Sequence, residues 1–474
     1  MFGWEFPPHI SGGLGTACYG LTKGLKSLGD LDIIFVVPKK HGDEDEDIVK
    51  IVGASDVPVL QQKVNRTDFF SSEVKDIYKS ALEKKINITH HQQYKDLTLV
   101  EVSSMIVPYL SPEQYETIIR KKGLGDYKVY LTDEGKLVYL KDGVEVDVKL
   151  DYSDFVETDE LGRYSFTGKY GPNLLEEVAK YADVGGIIAG KFDFDVIHAH
   201  DWLTYAAGIA AKKISGKPLV VHVHATEFDR SGESVDQRVY DIEKMGMDNA
   251  DKIITVSNLT RNIVITRYGQ NPDKVVTVYN AVEFNTSKEV DYKKNVEEKI
   301  VTFLGRVTYQ KGPEYFVEAA YKVLQKNDNV RFVMAGSGDM LRKMIRRAAE
   351  LKICHKFHFT DFLKGDDVKR MFAISDVYVM PSVSEPFGIS PLEAMQTNVP
   401  TIISKQSGVA EILKHAIKID FWDVDAMADA IYGLLEYKGL SKMFIKHGRE
   451  EVDSLKWENA AFHVHEVYKS AIAI

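Results

Sequence analysis

The strongest constraint on the fold of this chain is a strand–helix alternation that runs, stops and starts again. In the first run, Asp195 to Ala199, Pro218 to Val223, Lys252 to Val256 and Lys274 to Tyr279 are apolar stretches of strand length. Helical stretches at Leu203 to Ile214, Asp236 to Asn249 and Asn258 to Tyr268 separate them. An earlier unit has the same form. The glycine-rich turn Ser11-Gly12-Gly13-Leu14-Gly15 leads into an amphipathic helix from Thr16 to Leu28, closed by Gly29, and an apolar strand from Asp32 to Val37 follows. Strands apolar on both faces belong in parallel sheets covered by helices. A polar stretch at 285–295 lacks apolar periodicity and places a domain boundary near 284–297. The alternation then resumes, with strands at Ile300 to Leu304, Val330 to Ala335, Phe357 to Thr360, Val377 to Met380 and Pro400 to Ile403.

The expected fold is therefore α/β, with two Rossmann-like parallel-sheet domains facing across a cleft. The first spans 1–283 with an irregular insert at about 40–180, and the second spans 297–456. A long last helix, Trp457 to Ala471 within 457–474, can reach back to the first domain. Within the insert, the Asp142-Gly143 step predicts a hairpin. The opening Met1 to Pro8 reads as the tail of a strand and a loop, so the natural chain is expected to begin a few residues earlier.

Size and charge narrow the function. A chain of 474 residues is too long for one ordinary core. The net charge of −10 argues against a nucleic-acid platform. The acidic run Asp43 to Asp47 reads as a solvated loop. Two distant cysteines, Cys18 and Cys354, imply neither a disulfide framework nor a zinc cluster. No stretch has the length of a membrane span and no basic-then-apolar leader opens the chain, so a cytoplasmic location is expected.

The chemistry-bearing residues fall at predicted strand ends. Glu385 lies on the loop after the strand Val377 to Met380, and Glu393 lies one turn into the helix that Pro391 opens, eight positions on, as E-x7-E. Ionised carboxylates only accept hydrogen bonds, which suits a hydroxyl-rich ligand at the C-terminal edge of an open sheet. Gly305 to Gly312 holds Arg306 and Lys311, a planar fork and a point charge able to neutralise a diphosphate. Ala335-Gly336-Ser337-Gly338 and Ser407-Gly408 are further glycine turns. His198-Ala199-His200-Asp201-Trp202 and His222-Val223-His224 end two strands, and a period of two puts His222 and His224 on one face. Metal binding by these histidines ranks below ligand hydrogen bonding, because their spacing matches no zinc motif. Singly, each motif reads as a cap or a packing device, and Asp201 reads as a helix cap. Their joint order on two matched halves is not explained that way.

This set resembles the retaining, nucleotide-sugar-dependent glycosyltransferases of the GT-B fold, in the glycogen/starch synthase and family 4 group. The resemblance rests on His198 to Trp202, Gly305 to Gly312 and the glutamate pair, and covers nearly the whole chain outside 40–180. It implies that Glu385 contacts the donor sugar and Glu393 the ribose. Arg306 and Lys311 would hold the diphosphate, with Gly12 and Gly13 facing the phosphates. His224 would sit near the donor sugar, and His200 with Asp201 near the acceptor. Gly336, Gly338, Phe387, Gly388 and Ile389 join the donor-binding set. The group needs no metal and no other cofactor.

The activity implied is transfer of glucose from ADP-glucose or UDP-glucose to a 1,4-linked α-glucan acceptor. The alternatives are a family 4 transferase acting on an envelope glycan, a lipid-linked sugar or a small glucoside, and a non-catalytic sugar-nucleotide sensor. A sensor would need degraded reactive positions, yet all are present. A phosphorylase would need a lysine holding pyridoxal phosphate, and no matching site is seen. One departure favours family 4: Ile10 stands where glycogen and starch synthases carry a lysine, two positions before Gly12.

Overall fold

A computed structural model describes residues 1–59 apart from 10, 11 and 47, parts of 122–147, residues 158–283 apart from 172, and residues 294–473 apart from 295. Two large parallel sheets dominate it. The first contains β1 (Ile34–Val37) and β2 (Lys50–Gly53). A separate three-stranded antiparallel sheet is made of β3 (Val129–Leu131), β4 (Leu137–Lys141) and β5 (Val144–Asp147). Asp142, at the turn between β4 and β5, has φ +54, as the Asp-Gly step predicts. The first large sheet continues with β6 (Ile197–His200), β7 (Leu219–Val223), β8 (Lys252–Thr255) and β9 (Val275–Thr277). Its two parts are joined by the N-terminal residues. Phe2 bridges Val36 of β1 on one side and Ala199 of β6 on the other, both in parallel.

The second large sheet consists of β10 (Lys299–Leu304), β11 (Val330–Ala335), β12 (Phe357–Thr360), β13 (Val377–Met380), β14 (Thr401–Ser404) and β15 (Ile417–Ile419). Its spatial order is β12-β11-β10-β13-β14-β15, all parallel. This is the doubly wound order 3-2-1-4-5-6, in which a crevice opens where the order reverses, between β10 and β13. Every residue of β7, β13 and β14 is buried, as strands covered on both faces must be.

The last helix, Trp457–Ile472, crosses back to the first half and packs on the helix Gly13–Ser27. Trp457, Ala461 and Val464 share a core with Leu21, Leu25, Val220 and Ile254. Two glycines make this approach possible. A Cβ on Gly20 would lie 2.2 Å from the Trp457 ring, and one on Gly24 would lie 2.6 Å from the Trp457 carbonyl oxygen. A second tie comes from Glu411 of the second half. Its carboxylate accepts the backbone N–H groups of Asn258 (2.9 Å) and Leu259 (2.7 Å), so it caps the first-half helix Asn258–Tyr268.

Several elements escape the sequence pattern, among them the short helix Glu227–Ser231. β2 and β15 are too short to signal, and Lys418 in the middle of β15 is exposed. The helix Leu174–Ala189 lies partly in the stretch expected to be irregular and carries Gly185 and Gly186, which depress helix propensity. Gly185 is there for packing: a Cβ would lie 2.7 Å from the Ala207 carbonyl of the neighbouring helix Trp202–Ser215. Tyr164 and Phe166, also from that stretch, sit in the first core. The helix after the first glycine turn begins at Gly13 rather than Thr16, so Gly13 and Gly15 belong to its first turn.

The docked last helix should be a main support of the first half. Trp457→Ala empties a buried, glycine-matched slot and is expected to destabilise by about 3–5 kcal/mol. Thermal denaturation should show a lowered transition, and an unchanged midpoint would refute this packing role.

Candidate active site

The loops after β10, β13 and β14 meet at the crevice of the second sheet, and backbone bonds join them. The Val383 amide donates to the Gln310 carbonyl (2.9 Å), and the Glu385 amide to the Gln406 carbonyl (2.9 Å). Glu385 and Ser407 form a parallel bridge. On this scaffold the Glu385 carboxylate is buried and accepts from Ser382 Oγ at 3.1 Å. It also forms an ion pair with Lys311 Nζ through the same oxygen, Oε2. The two cations of the Gly305–Gly312 loop thus differ in state. Lys311 is tied to the carboxylate, whereas Arg306 is exposed and donates to Gln310 Oε1 at 3.2 Å.

Glu393 lies in the first turn of the helix Ser390–Gln396. Burial raises its carboxyl above the ordinary range, and Lys369 opposes that shift. Phe387 is buried and its carbonyl accepts the Val409 amide at 2.8 Å. Gly388 has φ +100, a conformation that favours glycine. Ile389 caps the helix Ser390–Gln396, and its carbonyl accepts the Leu392 and Glu393 amides.

The glycines divide into two kinds. A Cβ on Gly336 would lie 1.9 Å from the Gly305 oxygen, and one on Gly338 would lie 2.3 Å from the Val307 oxygen. These two glycines let the loop after β11 lie against the loop after β10. A Cβ on Gly12 or Gly13 would meet nothing within 4 Å, so close packing does not explain either.

In the first half, the histidines form a column, buried at His198, His200 and His222 and half-buried at His224. The rings of His198, His200, His222 and His224 pack with centroids 4.1–5.4 Å apart and interplanar angles of 8–32°. His200 Nδ1 and His224 Nε2 are 3.0 Å apart, and His198 Nδ1 is 2.6 Å from the Tyr468 hydroxyl of the last helix. Among the described residues, neither ring nitrogen of His222 has a partner. Burial pushes all four histidines below the usual range, His224 to about 3, so they are neutral at pH 7. Nitrogens of His198, His200 and His222 lie within 4.8 Å of one another, as do ligand atoms of Cys18, His200 and His224. Near-parallel rings set these nitrogens side by side, whereas a zinc ion needs them around one centre at about 2.0–2.1 Å.

Asp201 departs from its expected role as a side-chain cap. It stands at the N-cap of the helix Trp202–Ser215, but its side chain makes no cap bond. Oδ1 instead accepts the backbone N–H groups of His224 (2.7 Å) and Ala225 (3.3 Å). Its φ of +59 is strained for a non-glycine residue, a feature common at functional sites. Burial raises its pKa to about 6, opposed by Arg230 and the two N–H donors. His200 and Asp201 are both buried, so they fix His224 from beneath.

Sequence reasoning missed two groups. Arg230 pairs with Glu227 (3.1 Å) and with buried Glu243, whose carboxyl is raised to about 7 by burial. The other is a small cavity over the first sheet, lined by Trp4, Glu5, His9, Lys39, His41 and Glu44 among others. These residues follow the N-terminal strand and β1 at their C-terminal ends, and that position was the available signal. Among the described residues, no helix is long and apolar enough to cross a membrane.

Comparison with known proteins identifies the family and the fold. Residues 285–451 match the family model "Glycosyl transferases group 1", and residues 150–285 match "Glycosyltransferase Family 4". An uncharacterized glycosyltransferase of Methanocaldococcus jannaschii is 33% identical over 304 residues, covering 60% of this chain and 77% of the relative. A glycogen synthase of Mycobacterium tuberculosis is 23% identical over 286 residues, covering 58% of this chain and 69% of the relative. Among solved structures, S. aureus TarM, in a complex that includes UDP, superposes with a TM-score of 0.61 at 13% identity, covering 99% of both chains.

The buried titratable groups predict opposite pH effects. Folded His224 stays neutral to about pH 3, while the unfolded side chain protonates near 6.5. The stability it contributes is complete above pH 6.5 and is lost as pH falls, and His222 shifts in the same direction. Folded Asp201 keeps its proton to about pH 6, against 3.8 unfolded, so its contribution is complete below 3.8 and lost as pH rises through 6. Each proton changes the slope by about 1.4 kcal/mol per pH unit. Denaturant titrations between pH 6.5 and 4 should therefore show a shallower loss of stability on acidification for His222→Phe and a steeper one for Asp201→Asn. Equal slopes in both variants would contradict the assignment.

Proposed function

The chain belongs to the glycosyltransferases of the glycogen synthase and family 4 group, with their GT-B architecture, and from that premise we propose that it transfers glucose from ADP- or UDP-glucose to the non-reducing end of a 1,4-linked α-glucan with retention. The observation that carries the reading is Glu385. Its buried carboxylate, bonded to Lys311 and Ser382 at the crevice of the second sheet, still has one oxygen, Oε1, outside those two bonds. A donor-sugar hydroxyl is the natural partner for that oxygen.

In this reading Arg306 and Lys311 receive the diphosphate, helped by Gly12 and Gly13, where the backbone leaves room for close approach. Gly336, Gly338, Phe387, Gly388 and Ile389 shape the donor pocket, and Glu393 accepts from the ribose. Neutral His224, held by Asp201 and His200, bonds the sugar from the other side. The bond between the anomeric carbon and the diphosphate oxygen breaks as the acceptor hydroxyl attacks from the same face. The leaving phosphate takes the hydroxyl proton. The cations stabilise the negative charge that builds on the leaving group, and the reaction needs no metal. The cavity lined by Glu5, His9, His41 and Glu44 offers the carboxylates and imidazoles that a hydroxylated acceptor requires. The site of action is cytoplasmic.

A second reading keeps the donor site and changes the acceptor to an envelope glycan, a lipid-linked sugar or a small glucoside. Ile10, in place of the synthase lysine, favours it.

Nucleotide release should be measured with ADP-, UDP- and GDP-sugars, with and without maltooligosaccharide. Glucan-dependent release with chain extension is expected, and release only with other acceptors would select the second reading. Glu385→Ala should lower transfer by about 10²–10³-fold without unfolding the protein, and wild-type turnover would remove Glu385 from the site. A chelator should leave the rate unchanged, whereas loss restored by a divalent ion would reinstate a metal.

A further inference from the structure

The bond between Ser384 Oγ and Asp229 Oδ1, 2.6 Å, crosses from the second half to the first, one residue before Glu385. Both ends are held by their own halves. Asp229 is buried, and its other oxygen, Oδ2, accepts from the Thr226 amide and hydroxyl, each at 2.8 Å, to complete a capping box on the short helix Glu227–Ser231. That helix is anchored in turn by the pairs of Arg230 with Glu227 and Glu243. On the other side, Val383 is bonded to the loop after β10 and Glu385 to the loop after β14. Ser384, between them, is free to face the first half. Among the described residues, the other hydrogen bond between this loop and the first half is longer, 3.5 Å from Thr260 Oγ1 to the Pro386 carbonyl.

We infer that Ser384 and Asp229 are positioning residues, whose hydrogen bond across the cleft fixes the 381–389 loop and so aims the Glu385 carboxylate at the donor sugar. The proposal rests on the reading of Glu385 as the donor-sugar carboxylate. A short bond to a buried carboxyl group that two further bonds already hold in place is directional. A loop bonded on three sides cannot rotate as one bonded on two. Separation of the halves breaks the bond and wets Asp229, so the aim of Glu385 is set only when the halves meet. The segment that begins at His224 runs through Thr226 to Asp229, so the same bond also fixes the distance between the two sides of the site.

The test compares Ser384→Ala, Asp229→Asn, the double variant, Ser384→Thr and Glu385→Ala, using nucleotide release from the donor that the panel above identifies. Ser384→Ala should lower kcat roughly tenfold, with donor KM within about twofold and an unchanged melting midpoint. Ser384→Thr should recover most of the rate, and Asp229→Asn should add little to Ser384→Ala, because residue 384 then has no hydroxyl left to bond. Wild-type kcat in Ser384→Ala, or effects that multiply in the double variant, would overturn the positioning role. A dead Glu385→Ala beside an unaffected Ser384→Ala overturns the positioning alone. A slow Ser384→Ala beside a fully active Glu385→Ala overturns the donor-site reading, and with it Glu385 as the group being aimed.

Discussion

The ion pair between Lys311 and Glu385 is the interaction on which the second half of the site depends. It joins the loop after β10 to the loop after β13, the two loops that flank the point where the strand order reverses. Both charges are largely out of water, where an unpaired carboxylate or ammonium is strongly disfavoured and a pair holds only if its geometry is good. The Ser382 hydroxyl helps meet that requirement for Glu385. The pair also keeps the cation in place before any anion arrives. A diphosphate bound as proposed would share an ammonium already fixed, so less ordering would be needed at the moment of binding. Arg306 plays a different part. It is exposed and held by a hydrogen bond to the neutral Gln310 side chain, which a ligand can replace.

The first half solves the reverse problem. Its functional corner is built from uncharged groups, four stacked imidazoles that burial keeps neutral. A protonated column of that kind would repel itself across 4–5 Å in a medium of low polarity. Neutral rings can offer or accept a hydrogen bond without carrying a charge into the cleft. Directly behind them, Arg230 gathers Glu227 and Glu243, and its charge also reaches Asp201. The formal charges nearest the column are therefore set one layer back. Asp201 shows the design most clearly: its carboxylate is used on two amides, and a strained φ is tolerated to place it there.

Most of the second half was legible because its strands are long, wholly apolar and evenly spaced. β11, β12 and β13 fall where the pattern puts them. β15 was not, because a three-residue edge strand with an exposed lysine carries no periodicity. The helix Leu174–Ala189 was hidden by a glycine pair whose purpose is contact with a helix about twenty residues further on, a tertiary reason that local propensity cannot express. The site was legible in its residue types but not in its pairings. Glu385, Lys311 and His224 all sit at strand ends, as their sequence positions require. Nothing in the spacing says that Lys311 is tied to Glu385, or that Asp201 serves the amide of His224. Glycine was the least informative signal. Gly336 and Gly13 look alike in sequence, yet one is required by a neighbouring carbonyl 1.9 Å from its missing Cβ and the other has open space.

The ways in which the two halves are joined differ in strength, and that difference bears on how such a site can work. The last helix buries Trp457, Ala461 and Val464 against the first half. Burying a tryptophan and its neighbours is worth several kcal/mol. Beside the donor loop the ties are several: the Ser384–Asp229 and Thr260–Pro386 hydrogen bonds, the Glu411 cap on the helix Asn258–Tyr268, and the packing of Tyr279 on Phe387. Each hydrogen bond of this kind contributes about 0.5–1.5 kcal/mol net, so no single one of them sets the arrangement. A donor bound as proposed would add its own bonds to both halves and would favour the arrangement in which they meet.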